Sequence, residues 1–315
     1  MAEPLASTVD FASGPPSPVS LDVVWDHGSR RRGEHVGPPI QVHAADPHTF
    51  ILRQSKSVHY EAPFLYLFCG NERALLLDTG ATSDPAHFPL RPTVDAILEG
   101  WLAEHPRQHY ELVVAHSHGH GDHVAADGQL ADRPDTTVVA PDLPSVQAFF
   151  GFTAWPQEIV RLDLGGRVLE VTGCPGHHPA SIAVLDPWSG FLLTGDTVYP
   201  GRLYVDDMPS YAASLDRLVD LARSRRATAV MGCHIEMSRT PGRDYPRGST
   251  WQPDEAPLPM SVAQLAAVRD AALAVADRPG AHARDDVIIF NGPCRAAMAR
   301  QTLRLWWSTL RRRMP

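Results

Sequence analysis

The stretch Ala115-His116-Ser117-His118-Gly119-His120-Gly121-Asp122-His123 decides how the rest of the chain is read. Four histidines and one aspartate fall within eight positions, with only serine and glycine between them. Nothing in it can build a core, so its residues are chosen for donor atoms. Imidazole nitrogen and carboxylate oxygen suit zinc and other borderline divalent ions. Glycines at 119 and 121 let the backbone turn tightly enough for neighbouring side chains to point at one place. The preceding run, 110 to 115, reads as a buried strand, and residues from Val124 onward as the start of a helix. The donors then sit on a loop at a strand end, where a rigid scaffold can aim them.

Composition narrows the chemistry. A chain of 315 residues with 43% hydrophobic residues can bury a full core. Its net charge of −8, with no long basic run before the last few residues, argues against a nucleic-acid groove and favours a small-molecule substrate. Lysine occurs once, at Lys56, which leaves phosphate-loop and Schiff-base mechanisms almost without a candidate. Cys69, Cys174, Cys233 and Cys294 form no C-x-x-C pair, and the first residues show no basic-then-apolar signal segment, so a cytoplasmic location is expected. No apolar run approaches the roughly 20 residues that span a bilayer, and no membrane partner is expected.

Outward from the donor loop, residues 1–47 read as a loop-rich arm full of Pro, Gly and Ser. Strands are expected at 49–52, 64–68 and 74–77, the last two joined as a hairpin and ending in Asp78-Thr79-Gly80, where Asp78 reads as a turn aspartate. Residues 93–104 read as a helix with Val94, Ile97, Leu98, Trp101 and Leu102 on one face. After the loop come strands at 137–140, 159–162 and 167–171, and a short helix at 145–150. A turn follows carrying His177 and His178, then a hairpin of 182–186 and 191–194 that ends at Asp196. Residues 210–225 read as a helix capped by Ser210, 227–232 as a strand closing on Cys233-His234, 242–259 as irregular, and 261–276 as a helix. A last strand at 287–290 and a basic amphipathic helix at 296–312 complete the chain. Leu303, Leu305, Trp306, Trp307 and Leu310 crowd that helix, which is expected to pack on the core or across a dimer.

The pattern His118-x-His120-x-Asp122-His123, followed by His177 in Pro-Gly-His, Asp196 in Thr-Gly-Asp-Thr and His234 in Gly-Cys-His, resembles the metallo-β-lactamase superfamily; Asp78 in Leu-Asp-Thr-Gly matches that family's early aspartate. The resemblance covers residues 48–280, leaving the arm and the 281–315 strand and helix outside. It implies an α/β fold, a four-layer αββα sandwich, and two metal ions. One would lie on His118, His120 and His177 and the second on Asp122, His123 and His234, with Asp196 bridging. Two Zn²⁺ are expected, with iron or manganese as alternatives, and a metal-bound hydroxide attacking a carbonyl. Asp122 and Tyr199 are the candidate catalytic residues. Tyr199, three residues after Asp196, is placed like the phenol of the lactonase branch, with Tyr204 as its competitor. His116 reads as a packing residue or an outer hydrogen-bond partner, His178 as a competitor of His177, and Cys174 and Cys233 as small buried residues.

The resemblance leads to a metal-dependent hydrolase of thioesters or lactones, less so of β-lactams. Phosphodiester hydrolysis is the alternative, and the acidic balance supplies no nucleic-acid domain for it. An iron-dependent redox role is a further alternative, against which stand His120 and two complete donor sets. A binding module without catalysis would be expected to have lost donors, and none is lost. Arg295, Arg300 and Arg304 do not align with the glutathione-binding pattern of the hydroxyacylglutathione hydrolases. A homodimer remains open.

Overall fold

The computed structural model describes residues 8–13, 18–31, 34 and 37–313; the side chains of 308–313, among them Leu310, lie outside that description. The first half contributes strands β1 (Ile40–Asp46), β2 (Thr49–Gln54), β3 (Phe64–Cys69) and β4 (Arg73–Leu77), helix α1 (Leu90–Glu104), β5 (Glu111–Ala115), the short helix α2 (Gly121–Val124), β6 (Thr136–Val138) and helix α3 (Leu143–Phe150). Its strands make one six-stranded sheet in sequence order, antiparallel up to β4 and parallel across β4, β5 and β6. The second half contributes β7 (Ile159–Asp163), β8 (Val168–Gly173), β9 (Ile182–Asp186), β10 (Phe191–Gly195), β11 (Arg202–Val205), α4 (Met208–Ser224), β12 (Ala229–Gly232), α5 (Val262–Ala274), β13 (Gly280–Ala283), β14 (Ile288–Asn291) and α6 (Arg295–Arg313). A five-stranded sheet runs β12-β10-β9-β8-β7, and a small one β11-β14-β13.

The layering follows from period-two alternation in strands that are apolar on both faces. In β3, β4 and β5 the residues Phe64, Tyr66, Phe68, Leu75, Leu77, Val113 and Ala115 share one core with Leu169, Val171, Ile182, Val184, Phe191, Leu193 and Met231 of the other sheet. The alternate residues face outward. Leu65, Leu67, Leu76, Leu112 and Val114 pack with Val94, Leu98 and Trp101 of α1. Ala183, Leu185, Leu192 and Val230 pack with Leu215, Leu218 and Val219 of α4 and Leu265 and Val268 of α5. Helix, sheet, sheet, helix is the result, the four-layer αββα sandwich.

Several elements depart from the sequence expectations. Residues 40–46 of the expected arm form β1, an edge strand whose middle is half-buried or exposed, so no apolar pattern marks it. Earlier in the arm Trp25 is buried against Phe64, and Val19, Leu21 and Val23 pack on the inter-sheet core. Strand β11 is four residues long and opens on a buried arginine, and β13 is made of Gly, Ala and His, so neither reads as an apolar run. Helix α4 starts before Ser210: Asp207 is its N-cap and accepts from the Ser210 amide, with Pro209 in the first turn.

Helix α6 meets the body through Ala297 and Met298, which pack on Met237, Ile288 and Phe290, and through polar contacts. Buried Gln301 donates to Asp244 Oδ2 at 2.8 Å, and Arg304 donates to Asp244 Oδ1 at 2.5 Å and to the Asp244 carbonyl at 2.6 Å. Leu303, Trp306 and Trp307 point away, each 57% exposed. No helix among the described residues is long and apolar enough to cross a membrane.

Candidate metal centre

Parallel pairing sets the site, because β4 with β5, and β10 with β12, bring their carboxyl ends to the same side. Asp78 follows β4, residues 116–123 follow β5, His177 follows β8, Asp196 follows β10 and His234 follows β12. The structure brings all seven expected metal donors to one edge of the sandwich.

His118 Nε2, His120 Nδ1 and His177 Nε2 form a near-equilateral triangle with sides of 3.0, 3.0 and 3.2 Å. A tetrahedral zinc ion with Zn–N bonds of ~2.0–2.1 Å has ligand edges of about 3.3 Å, close to that spacing. In the second group His234 Nε2 lies 3.4 Å from both Asp122 Oδ2 and Asp196 Oδ1, and His123 Nε2 lies 3.6 Å from Asp122 and 3.7 Å from Asp196. Asp196 also reaches to 3.8 Å from His177, so it stands between the two groups. The buried Nε2 atoms of His123 and His234 and Oδ1 of Asp196 have no hydrogen-bond partner. Buried polar atoms are normally satisfied, so three orphans facing one point mark a place built for a cation.

The far side of each ring fixes which nitrogen keeps its lone pair. His177 Nδ1 donates to the Tyr204 carbonyl at 2.7 Å and His234 Nδ1 to the Glu61 carbonyl at 3.1 Å. His123 Nδ1 donates to Asp78 Oδ2 at 2.9 Å. Each leaves Nε2 free toward the centre, the usual outer support of a metal-binding imidazole. Asp78 is fully buried at φ 70° and also accepts from the Ser117 amide, the Ser117 hydroxyl and the Cys233 thiol. It therefore holds the loop from beneath, more than a turn residue would.

The electrostatics divide the two groups. Burial, then the neighbouring imidazoles, hold His118 well below its usual value, and burial followed by His177 lowers His120 as well, so these two rings favour the neutral form with a lone pair available. Burial opposes charge on His234 too, but Asp196 and Asp122 push it up to about 9. Burial likewise resists the charge on Asp196, yet His234 and His123 hold it at about 2. The second group thus demands positive charge. A divalent ion displacing those protons satisfies both groups.

Other candidates fall outside the cluster. His116 Nε2 pairs with Asp127 at 2.9 Å, away from the donors. His178 lies beside the loop, its ring 5.2 Å from that of His120, and its Nδ1 accepts from the Ala180 amide. Cys233 serves Asp78, and Cys174 accepts from Thr197. The Tyr199 ring packs edge-on against His234, but its hydroxyl donates to the Arg202 carbonyl at 2.5 Å, inside the wall. A cleft of about 260 Å³ opens over the donors. Its walls also carry Tyr204, the competitor of Tyr199, together with Glu61, Asp206, Glu236, Arg247 and Met298, which no spacing in the sequence singled out. They come from the 200–210 and 235–260 stretches, the loop before β3, and α6.

Fold and site together define a metallohydrolase-type sandwich, and the chain belongs to the metallo-beta-lactamase superfamily, whose profile matches residues 62–234. It is 28% identical over 152 residues to a hydroxyacylglutathione hydrolase of Rhizobium meliloti (strain 1021), covering 45% of this chain and 54% of that one. It is 31% identical over 146 residues to the acyl-coenzyme A thioesterase MBLAC2 of Gallus gallus, covering 41% and 51%. The chain spans about half the length of the curated relatives it matches. Among solved structures, the DIM-1 metallo-beta-lactamase shares the fold at TM-score 0.51 and 15% identity, covering 76% of this chain and 98% of that one.

Proposed function

We propose that the chain is a dinuclear, zinc-dependent hydrolase of thioesters and related small carbonyl compounds. His118, His120 and His177 hold one ion, Asp122, His123 and His234 the other, and Asp196 is shared. The observation that carries this reading is the pair of adjoining donor sets, in the second of which the buried Nε2 atoms of His123 and His234 and Oδ1 of Asp196 have no hydrogen-bond partner. When bound, two such ions supply a water activated near neutral pH and Lewis-acid polarisation of a carbonyl.

The chain's own groups do the rest. Asp122, on the cleft wall with a quarter of its side chain exposed, is placed to accept a proton from water and return it to the leaving group. Tyr199 holds His234 through its ring, since its hydroxyl is spent on Arg202. The donor role expected of it passes to Tyr204, whose hydroxyl accepts from Arg202 Nε at 3.3 Å and keeps its own proton for the cleft. Among the described residues Arg247 is the one arginine or lysine lining the cleft, and its guanidinium donates to the Tyr60 hydroxyl at 3.4 Å. It is free to hold an anionic leaving group. Hydroxyacylglutathione and acyl-coenzyme A, named for two relatives, are thioesters of anionic thiols, which supports thioesters first. Glu61, Asp206 and Glu236 make the cleft unfavourable for a phosphodiester chain.

Metal analysis of the zinc-reconstituted chain, followed by a panel of thioesters, lactones and phosphodiesters, tests the reading. Two equivalents and chelator-sensitive thioester turnover are expected. One equivalent or fewer, or turnover that survives complete metal removal, overturns it.

A further inference from the structure

A second cavity, of about 490 Å³, borders the cleft, and His177 and Asp206 line both. Where the cleft is ringed by carboxylates, the walls here are in larger part apolar, Leu143, Trp155, Pro156, Pro175, Pro179 and Ala213, joined by Asp206, Asp207, Ser210 and Arg217. The volume falls in the range of small-molecule sites, and so does the mix of apolar walls with a few polar groups. Three glycines build it. A Cβ on Gly173 would meet Pro156 at 2.6 Å and Trp155 at 2.9 Å, so its absence lets that pair lie down on the end of β8. A Cβ on Gly176 would meet Tyr211 Cα at 2.4 Å, so the Pro-Gly-His turn can rest directly on α4. Gly119 leaves room for His178, whose nearest ring atom would lie 3.2 Å from a Cβ there. The loop that carries the donors and the floor of the groove are thereby in contact.

His178 stands at the junction. Its Nδ1 accepts a backbone proton from Ala180, so in the neutral ring the proton is on Nε2, available to a polar group passing from cleft to groove. At the far end Arg217 is tied down through Nη2 to the Gly173 carbonyl at 3.1 Å and to Ser214 Oγ at 3.0 Å, so its aliphatic stem forms wall.

We infer that this groove is the acyl subsite: an apolar, straight-chain acyl group lies along Trp155, Pro156 and Ala213 while its carbonyl sits over the donors at His177. The inference rests on the hydrolase reading for the identity of the occupant. It sets an axis on the molecule, with the anionic leaving group at Arg247 and the apolar acyl group at the opposite end.

The test is binding of a neutral, non-hydrolysed series of straight-chain amides, acetamide to decanamide, measured by calorimetry, beside kcat/KM for the matching thioesters. Affinity is expected to rise about fourfold per added methylene until the groove is filled. Ala213→Trp, at an exposed helix position that tolerates a large side chain, is expected to flatten that rise while leaving acetamide unchanged. Leu143→Ser is expected to lower the slope by a different change at the other wall. A flat series in the unaltered protein, or a rise that Ala213→Trp leaves intact, overturns the inference. If the amides behave as expected and no ester or thioester is turned over, the groove stands and the hydrolase reading falls. Thioester turnover indifferent to acyl length gives the reverse.

Discussion

Asp78 shows how much one side chain can carry without touching a ligand site directly. Its Oδ2 faces three donors at once, the His123 ring, the Ser117 hydroxyl and the Cys233 thiol, and burial keeps that thiol protonated well above its usual value. Asparagine tolerates the left-handed backbone at this position but presents an amide where one oxygen was. Asp78→Asn is expected to keep the fold and weaken the ion on the Asp122, His123 and His234 set about 10–100-fold, read by competition with a chromogenic chelator. Unchanged affinity would return Asp78 to the turn role its sequence context suggests. The donors themselves were legible because histidine and aspartate at this density have no other use. Glu61 and Arg247 were not: each is an ordinary charged residue on an irregular segment, and only the folded chain brings it to the cleft.

Elements were legible where burial imposes a period. The inner strands of the two central layers are apolar on both faces, and α1 and α4 repeat every three to four residues, so each announced itself, whereas the edge strand β1 did not. Boundaries set by polar capping did not. Asp207 caps α4 through the Ser210 amide, and its own amide donates to the Gly176 carbonyl at 2.9 Å, so the cap also pins the turn that carries His177. Asp207→Ala is expected to lower stability by about 1 kcal/mol in urea denaturation, whereas Ser210→Ala costs a few tenths. Equal losses would restore Ser210 as the cap. Strand β11 escaped for a related reason: Arg202 is held by Glu236 and by Asp244 at 3.0 Å, so its burial is charged rather than apolar; β13, of Gly, Ala and His, has no apolar run to show.

At the scale of the molecule, the irregular segment 242–259 is fastened by buried charge. Both guanidinium Nη atoms of Arg53, on β2, donate to Glu255 at 2.7 Å, and Lys56 stands 3.6 Å away. Burial opposes the Glu255 charge, but Arg53 and then Lys56 overrule it and hold the carboxyl at about 2. Lys56, more distant and beside a like charge, is pushed down to about 8, burial being the main cause. A carboxyl depressed in the folded state contributes stability that is present above its ordinary value of 4.5 and lost as pH falls toward 2. The contribution is up to about 3 kcal/mol. Glu255→Gln is expected to be less stable at neutral pH and to lose less on acidification, in denaturant midpoints followed from about pH 5 to about pH 2. Parallel curves for the two proteins would remove Glu255 from the acid response. None of this long-range pairing leaves a periodic trace in sequence, which is why 242–259 reads only as irregular.

The donors have a mechanical side as well. Each set mixes the two halves of the molecule: His118, His120, Asp122 and His123 hang from the six-stranded sheet, while His177, Asp196 and His234 hang from the five-stranded one. Under the proposed reading, two ions seated there would act as rivets through the open edge of a clamshell otherwise closed by its apolar interior and by a few directed bonds, such as those of Arg167 to the His48 and Cys69 carbonyls and of Tyr66 to the Gly232 carbonyl. Stripping them with a chelator is expected to lower Tm and to let the amides of 116–123 exchange with solvent before those of the inter-sheet core. If neither changes, the apolar interleaving and those directed bonds keep the shell shut, and the rivets serve chemistry only.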